Sequence, residues 1–314
     1  MTRVIAIFGP TASGKSTLAL MLAERFNGAI VSVDSMQLYK GMDIGTAKPS
    51  LKDQARVPHY MIDCLEPCAS FSVYDFKLQA EQAISNIAKQ GKLPILVGGT
   101  GLYFDALFNN TQFGEMDLDP RIRQCLSERA ANGEGESMLE ELRRLDPETA
   151  VLLHPKDLKR IIRGLEVYYS TGKTLTEFKR RSHNMQCEFD FLKLSLVYRS
   201  RDVLYERINK RVDQMLMQGL VEEARAVYSQ SLAGGTASQA IGYKELLPYL
   251  KGESSLEDCV EQLKMKTRNY AKRQITWFKR YDDAVHICMD CDEDPFYVAE
   301  QNVKNYMEGI DNES

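Results

Sequence analysis

Gly9-Pro10-Thr11-Ala12-Ser13-Gly14-Lys15-Ser16 has the residue types and the spacing to hold phosphate. It meets G-x-x-x-x-G-K-[ST] at every fixed position. In such a loop the backbone N–H groups of a tight turn and of the following helix N-terminus converge on one spot, where phosphate oxygens bind. Lys15 adds a point charge for the outer phosphates, and the Ser16 hydroxyl reaches a Mg²⁺. The flanking elements are those the chemistry needs. Val4-Ile5-Ala6-Ile7-Phe8 reads as a buried strand, and the run from Thr17 to Glu24 carries a helical pattern. A bare glycine turn could show the eight residues by chance, but hardly with a strand before and a helix after. The loop says that a di- or triphosphate binds at residues 9–17. It does not say what becomes of it.

Other chemical groups belong at the same sheet edge. Ala29-Ile30-Val31-Ser32-Val33-Asp34 reads as a second buried parallel strand ending on a carboxylate. Ligands of an open α/β sheet sit beyond the C-terminal strand ends, which places Asp34 beside the phosphate loop. A turn or N-cap aspartate is the plainer alternative. Leu93-Pro94-Ile95-Leu96-Val97 is a third buried strand and runs into Gly98-Gly99-Thr100-Gly101-Leu102-Tyr103. Those glycines allow close backbone approach, and Thr100 offers a hydroxyl. A motor or switch NTPase would place a metal-binding Asp at this strand end, and Gly-Gly-Thr stands there instead. Arg207 and Arg211 stack one turn apart on the long helix predicted after Ser200. Either could clamp a diphosphate, and a surface salt bridge fits the pattern equally. His59, beside apolar residues, reads as a structural hydrogen-bonder.

Composition sets the outer bounds. The 314 residues suit one large or two modest domains, and 44% apolar content suits a real core. No apolar run approaches the roughly 20 residues of a membrane span, and the first apolar run is too short for a secretory segment. The seven cysteines are odd in number and lack disulfide-like spacing. The chain therefore reads as soluble, in a reducing, cytoplasmic setting. Asn109-Asn110-Thr111 has the form of a glycosylation acceptor by chance. His286-x-Cys288-x-x-Cys291 is a weak metal pattern without a second pair.

The net charge of −4 argues against a uniformly basic nucleic-acid binder, but its distribution does not. Between Gln262 and Tyr281 there is no acidic residue, while Lys264, Lys266, Arg268, Lys272, Arg273, Lys279 and Arg280 all fall there. A second basic cluster is Lys156, Lys159, Arg160 and Arg163, followed by Lys173, Lys179, Arg180 and Arg181. A polyanion partner needs such local patches rather than a basic total. On the helix near residues 264–280, Arg268, Lys272 and Lys279 share one face, and Tyr270, Arg273, Trp277 and Tyr281 nearly the opposite one. That interleaving suits a phosphate backbone with stacked bases. A cationic surface helix with its aromatic stripe in the core fits as well. Tyr243, in a glycine-containing link, reads as base-stackable.

Residues 113–189 differ in character. They are polar and mostly helical in pattern, with Leu158, Ile161, Ile162 and Leu165 inward and Lys159, Arg160 and Arg163 outward. Ser170-Thr171-Gly172-Lys173-Thr174 imitates a phosphate loop but fails it, because Val167 stands where the first Gly must be. The expected fold is α/β, a P-loop NTPase-like parallel sheet core with a helical insertion domain. The core takes residues 1–112 with 190–314, its C-terminal part mostly helical, and the insertion takes 113–189.

This set of motifs resembles the tRNA dimethylallyltransferase family, also called tRNA isopentenyltransferases, over nearly the whole chain. The resemblance rests on Gly9–Ser16, on Asp34-Ser35 with Tyr39–Lys48, and on Gly98–Tyr103. It continues through Arg163-Gly164-Leu165-Glu166-Val167, Ile241–Glu245 and Lys272–Phe278. Gly164 departs from the expected Ala, at a packing position. A zinc-finger extension found in some eukaryotic members is absent, which points to the bacterial type. The resemblance implies transfer of a dimethylallyl group from dimethylallyl diphosphate to N6 of the adenosine 3′ of the tRNA anticodon, by a cytoplasmic monomer.

By that resemblance, Gly9, Pro10, Thr11, Ala12, Ser13, Gly14, Lys15, Ser16 and Thr17 form the nucleotide-type (ATP-binding-like) cradle and hold the donor diphosphate, with Mg²⁺ on Ser16. Asp34 is the general base, Thr100 lies near the breaking bond, and Arg211 neutralises the leaving group. The tRNA contacts would be Asp34, Ser35, Met36 and Gln37, with Thr100 and Arg123. Lys159, Arg160, Ile161, Ile162 and Arg163 join them, as do Gln239, Ala240, Ile241, Gly242, Tyr243 and Lys244. The last group is Lys272, Arg273, Gln274, Ile275, Thr276, Trp277, Phe278 and Lys279. The insertion would grip the anticodon stem-loop, and the target base would be flipped out. Other readings are an isopentenyltransferase acting on free adenine nucleotides, a small-molecule P-loop kinase, and a nucleic-acid-stimulated NTPase. The basic helices argue against the first two, and the missing metal-binding Asp against the third.

Overall fold

The computed structural model describes residues 1–110, 118–182, 188–230, 237 and 240–309. Gln239 and Thr111 lie outside them. The chain forms two compact units, Met1–Phe104 with Glu188–Ser314, and Asp105–Cys187.

The larger unit begins with β1 (Thr2–Phe8), α1 (Lys15–Arg25) and β2 (Gly28–Val33). It continues with α2 (Leu51–Arg56), β3 (His59–Tyr60), α3 (Val73–Lys89), β4 (Leu93–Gly98) and the first turn of α4 (Gly101–Phe108), whose remainder belongs to the second unit. The Ser72 hydroxyl and the Asp75 carboxylate close a capping box that starts α3. The strands β1, β2 and β4 are apolar runs buried on both faces, as parallel strands must be.

Chain order does not give the sheet order, which is β3-β2-β4-β1 followed by β5 (Phe189–Val197) and β6 (Val285–Cys288) from later in the chain. All neighbours are parallel. Register then positions the site: Gly98 pairs with Phe8 on one side and Val33 on the other. Three strands therefore end level, and Gly9, Asp34 and Gly99 emerge side by side. A Cβ on Gly98 would lie 2.0 Å from the Val33 carbonyl oxygen, so only glycine permits this approach.

The second unit is helical: α5 (Pro120–Ala131), α6 (Gly135–Leu145), α7 (Pro147–Ala150), α8 (Leu158–Thr171) and α9 (Leu175–Ser182). Leu126, Met138, Leu139, Leu142, Ile161, Ile162 and Leu165 make its core. Leu142 packs so closely on Gly164 that a Cβ there would meet it at 2.8 Å, which accounts for glycine at that position.

The larger unit resumes with β5 (Phe189–Val197), α10 (Arg201–Met217) and α11 (Leu220–Gln230). It closes with α12 (Leu247–Leu250), α13 (Leu256–Phe278), β6 (Val285–Cys288) and α14 (Pro295–Glu308). One sheet face packs on α1 and α14 through Leu18, Leu22, Ala299 and Val303. On the other, Phe278 and Tyr281 reach Phe8 at 4.8 and 5.2 Å between ring centroids.

Several expectations are corrected by burial. Tyr243 is fully buried and its hydroxyl donates to Glu223 at 2.7 Å, so its ring stacks on no base. Ile161 and Ile162 lie in the second unit's core and Phe278 in the interior of the larger one, away from the surface a tRNA would meet, whereas Ala240 and Gln274 are buried but line a cavity of the larger unit. The aromatic stripe of α13 likewise faces the interior: Trp277 packs tightly on Gly101, and Tyr270 reaches the Gly99 carbonyl. Cys288 and Cys291 form a disulfide despite the absence of disulfide-like spacing, and His286 is an exposed residue on β6. His59 bonds the Val57 carbonyl at 2.7 Å, a structural role. Among the described residues no helix is long and apolar enough to cross a membrane.

Candidate active site

The phosphate loop leaves β1 at Gly9 and enters α1 at Lys15. Ala12 (φ 62°) and Gly14 (φ 93°) take left-handed conformations that turn successive amides toward one side of the loop. Ala12 carries a Cβ in this region, a strain that sites of function commonly retain. Lys15 Nζ folds back over its own loop, donating to the Pro10 carbonyl at 2.5 Å. Ser13 is fully buried, whereas Ser16 and Thr17 are exposed at the helix start.

A cavity of about 520 Å³ joins this loop to the end of β2. Thr11, Lys15, Ser16, Asp34, Arg211 and Gln274 are among its lining residues. Asp34 Oδ1 accepts from the Met36 N–H at 2.9 Å, so the turn role is real and coexists with a place in the cavity. Thr100 stands behind it, its Oγ1 accepting from the Ser35 N–H at 3.1 Å. The helix α10 delivers Arg211 into the cavity, while Arg207 braces the loop from outside by donating to the Ala12 carbonyl at 3.1 Å.

Three charges thus share one recess. Burial, and then the repulsion of Arg211, lower the Lys15 pKa to about 7, with Asp34 opposing. Burial also lowers that of Arg211 and raises that of Asp34 above the ordinary carboxylate range. With Lys15 protonated, two cations face one carboxylate in this recess, which is then positively biased and suited to a polyanion, and a bound anion favours that protonated form.

Some structural residues gave no sequence signal. Glu223, within an ordinary amphipathic helix, accepts from the N–H groups of Asp43, Ile44 and Gly45 at 2.8 to 2.9 Å, and so pins the loop that supplies Gly45, Thr46 and Ala47 to the cavity wall. In the second unit, buried Glu166 accepts from both Arg123 and Arg163 at 3.2 Å, holding two of its cations in fixed places. Lys159 and Arg160 beside them are exposed. In the basic segment, Lys266, Lys272, Arg273 and Thr276 of α13 are exposed, as are Lys279 and Arg280 just after it, with Ile275 and Trp277 half-buried. Lys244 is exposed, Gly242 is buried and Ile241 half-buried, as are Ser35, Met36 and Gln37.

A family model described as IPP transferase matches residues 37–281, and a second, isopentenyl transferase, matches residues 2–63. The chain belongs to the IPP transferase family. A tRNA dimethylallyltransferase of Thermoanaerobacter sp. (strain X514) is 43% identical over 312 residues, 98% of either chain. Another, from Halothermothrix orenii, is 47% identical over 281 residues, 89% of this chain and 85% of its own. Among solved IPP transferase structures, the tRNA isopentenylpyrophosphate transferase of Bacillus halodurans aligns with a TM-score of 0.72 at 38% identity, covering 99% of this chain and 97% of that one. A eukaryotic dimethylallyltransferase acting on tRNA aligns with a TM-score of 0.86 at 31% identity, covering all of this chain and 81% of that one.

Proposed function

We propose that this chain transfers a dimethylallyl group from dimethylallyl diphosphate to N6 of the adenosine 3′ of a tRNA anticodon, acting as a cytoplasmic monomer. The observation that carries the reading is the shared recess of Lys15, Arg211 and Asp34, two cations for a departing diphosphate and one carboxylate for a proton. The N6 lone pair attacks C1 of the donor, the C1–O bond breaks, and its electron pair leaves on diphosphate. Loop amides, Lys15 and Arg211 hold that developing charge. Asp34 takes the N6 proton, its raised pKa bringing it nearer to its task. Thr100, anchored beside Ser35, orients the acceptor side of the cavity.

Mg²⁺ fits the donor set, since the exposed Ser16 hydroxyl together with phosphate oxygens and water is the hard oxygen environment that this ion prefers. It would add positive charge at the diphosphate. The exposed Lys272 and Arg273 of α13 and Lys279 at its end, and Lys159 and Arg160 of the second unit, supply phosphate-backbone contacts, with Arg123 and Arg163 held by Glu166. The second unit is the part assigned to the anticodon stem-loop. The target adenosine must leave its stack to reach N6 chemistry.

Labelled dimethylallyl diphosphate, Mg²⁺ and an unmodified anticodon stem-loop, with free AMP as competitor, test the reading. Label goes to the stem-loop and is lost when the target adenosine becomes guanosine. Label on AMP alone would move the assignment to free nucleotides, and consumption of ATP without labelling would make residues 9–17 a nucleotide site.

Proton linkage offers a second check. With a Lys15 pKa of about 7, roughly 90% of that amine is neutral at pH 8. A bound diphosphate favours the ammonium form, so donor binding takes up close to one proton at pH 8 and little at pH 6. Calorimetry in buffers of different ionisation enthalpy reads that number directly. Uptake that is equal at both pH values would remove Lys15 as its source.

A further inference from the structure

Gln274 is the one amide among the residues that α13 buries. Its Oε1 accepts from the Thr11 N–H at 2.8 Å, and its Nε2 donates to the Gly99 carbonyl at 2.9 Å. Both partners are backbone groups, and an N–H only donates while a carbonyl only accepts. A primary amide is the neutral side chain that meets both demands at adjacent atoms. Glutamate lacks the donor, methionine has neither donor nor useful acceptor, and asparagine is one methylene short. The fit is tight, for a Cβ on Gly99 would stand 2.2 Å from Nε2.

The two partners belong to the two loops that build the site. Thr11 is in the phosphate loop after β1, and Gly99 precedes Thr100 after β4. Thr100 in turn holds the Ser35 N–H beside Asp34. One turn earlier on α13, Tyr270 also donates to the Gly99 carbonyl, at 3.4 Å. The outward side of the same helix exposes Lys272 and Arg273.

We propose that Gln274 is a positioning residue of the transfer reaction: it sets the spacing between the phosphate loop and the Gly99-Thr100 turn. It thereby aligns a diphosphate ester held on one with an acceptor facing Asp34 on the other. The proposal rests on the reading of residues 9–17 as the donor site. Displacement of reacting atoms by about 1 Å costs on the order of 10²-fold in rate, so a lost brace is read in kcat.

Steady-state kinetics of Gln274→Met, Gln274→Glu and Gln274→Asn, with melting curves for each, test this. Gln274→Met is expected to lower kcat about 10²-fold, with the KM for stem-loop RNA within about twofold of the parent. Gln274→Glu keeps the acceptor for Thr11, so its donor KM stays near the parent value while kcat falls. A protonated carboxyl reproduces the amide's donor and acceptor pair. The kcat of Gln274→Glu per folded molecule, with the folded fraction taken from melting curves at each pH, should therefore rise relative to the parent as pH falls, a rescue that a role in stability alone would not produce. A kcat of folded Gln274→Met within twofold of the parent, a loss that only follows the unfolded fraction, or a pH-independent ratio would overturn the proposal. If Gln274→Met does not fold, the pH ratio of Gln274→Glu decides alone. Lys15→Ala run alongside separates the two readings, since an unchanged donor KM there would remove the donor site itself whatever Gln274 does.

Discussion

Asp34→Asn is expected to lower kcat by roughly 10²–10⁴, the range a general base contributes, with the stem-loop KM changed by less than about threefold. The substitution is nearly isosteric, and the asparagine oxygen can still accept from the Met36 N–H that Asp34 now holds at 2.9 Å. What it removes is the ability to take a proton. The pH profile sharpens the test. Burial raises the Asp34 pKa, and Lys15, Arg211 and two backbone N–H groups only partly oppose it. The protonated form cannot act as a base, so parent kcat/KM falls as pH drops through that pKa, at a higher pH than for an ordinary carboxylate. The variant should lack this limb. Parent-like turnover in Asp34→Asn, or an unchanged acid limb, would take Asp34 out of the mechanism.

Arg211→Ala is expected to lower kcat by about 10²–10³, the usual loss when one fixed donor to developing charge is removed. Lysine at this position restores only part of the rate, because an ammonium cannot grip two diphosphate oxygens as a planar guanidinium does. A second readout comes from the neighbouring amine. Repulsion by Arg211 is one of the causes holding the Lys15 pKa down. Without it that pKa rises, Lys15 is more fully charged at pH 8 before the donor arrives, and the proton uptake on binding shrinks. Full uptake in the variant would mean that Lys15 and Arg211 do not sense each other.

Much of the site was legible because its parts are local in the chain. The phosphate loop needs only a strand, a glycine turn and a helix in succession, and residues 2–25 supply them as β1, the loop and α1. Asp34 and Gly99 were placed at the same edge by one general rule about parallel strands, which the register of Gly98 with Phe8 and Val33 realises. Glycine at 98, 99 and 101 announced close approaches without naming what approaches. It is the Val33 backbone, the Gln274 amide and the Trp277 ring, respectively.

The sense of α13 was the least legible feature. Its sequence carries a basic stripe and an aromatic stripe, and either could have met RNA. The structure turns Gln274 and Phe278 inward and leaves Lys272, Arg273 and Lys279 outside, since aromatic area is worth more against Phe8 than in water. Tyr243 was misread for the same reason, its ring buried and its hydroxyl claimed by Glu223.

Local spacing and hydropathy period were enough for the strand–glycine turn–helix of residues 2–25, the parallel strands and the carboxylate at a strand end, because each is decided within a few residues. The pairing of Gln274 with Thr11 spans 263 positions, and that of Glu223 with Ile44 spans 179. No period or motif connects such residues. Only the folded chain, in which every buried donor and acceptor must find a partner, selects which glutamine and which glutamate turn inward and hold the loops in place.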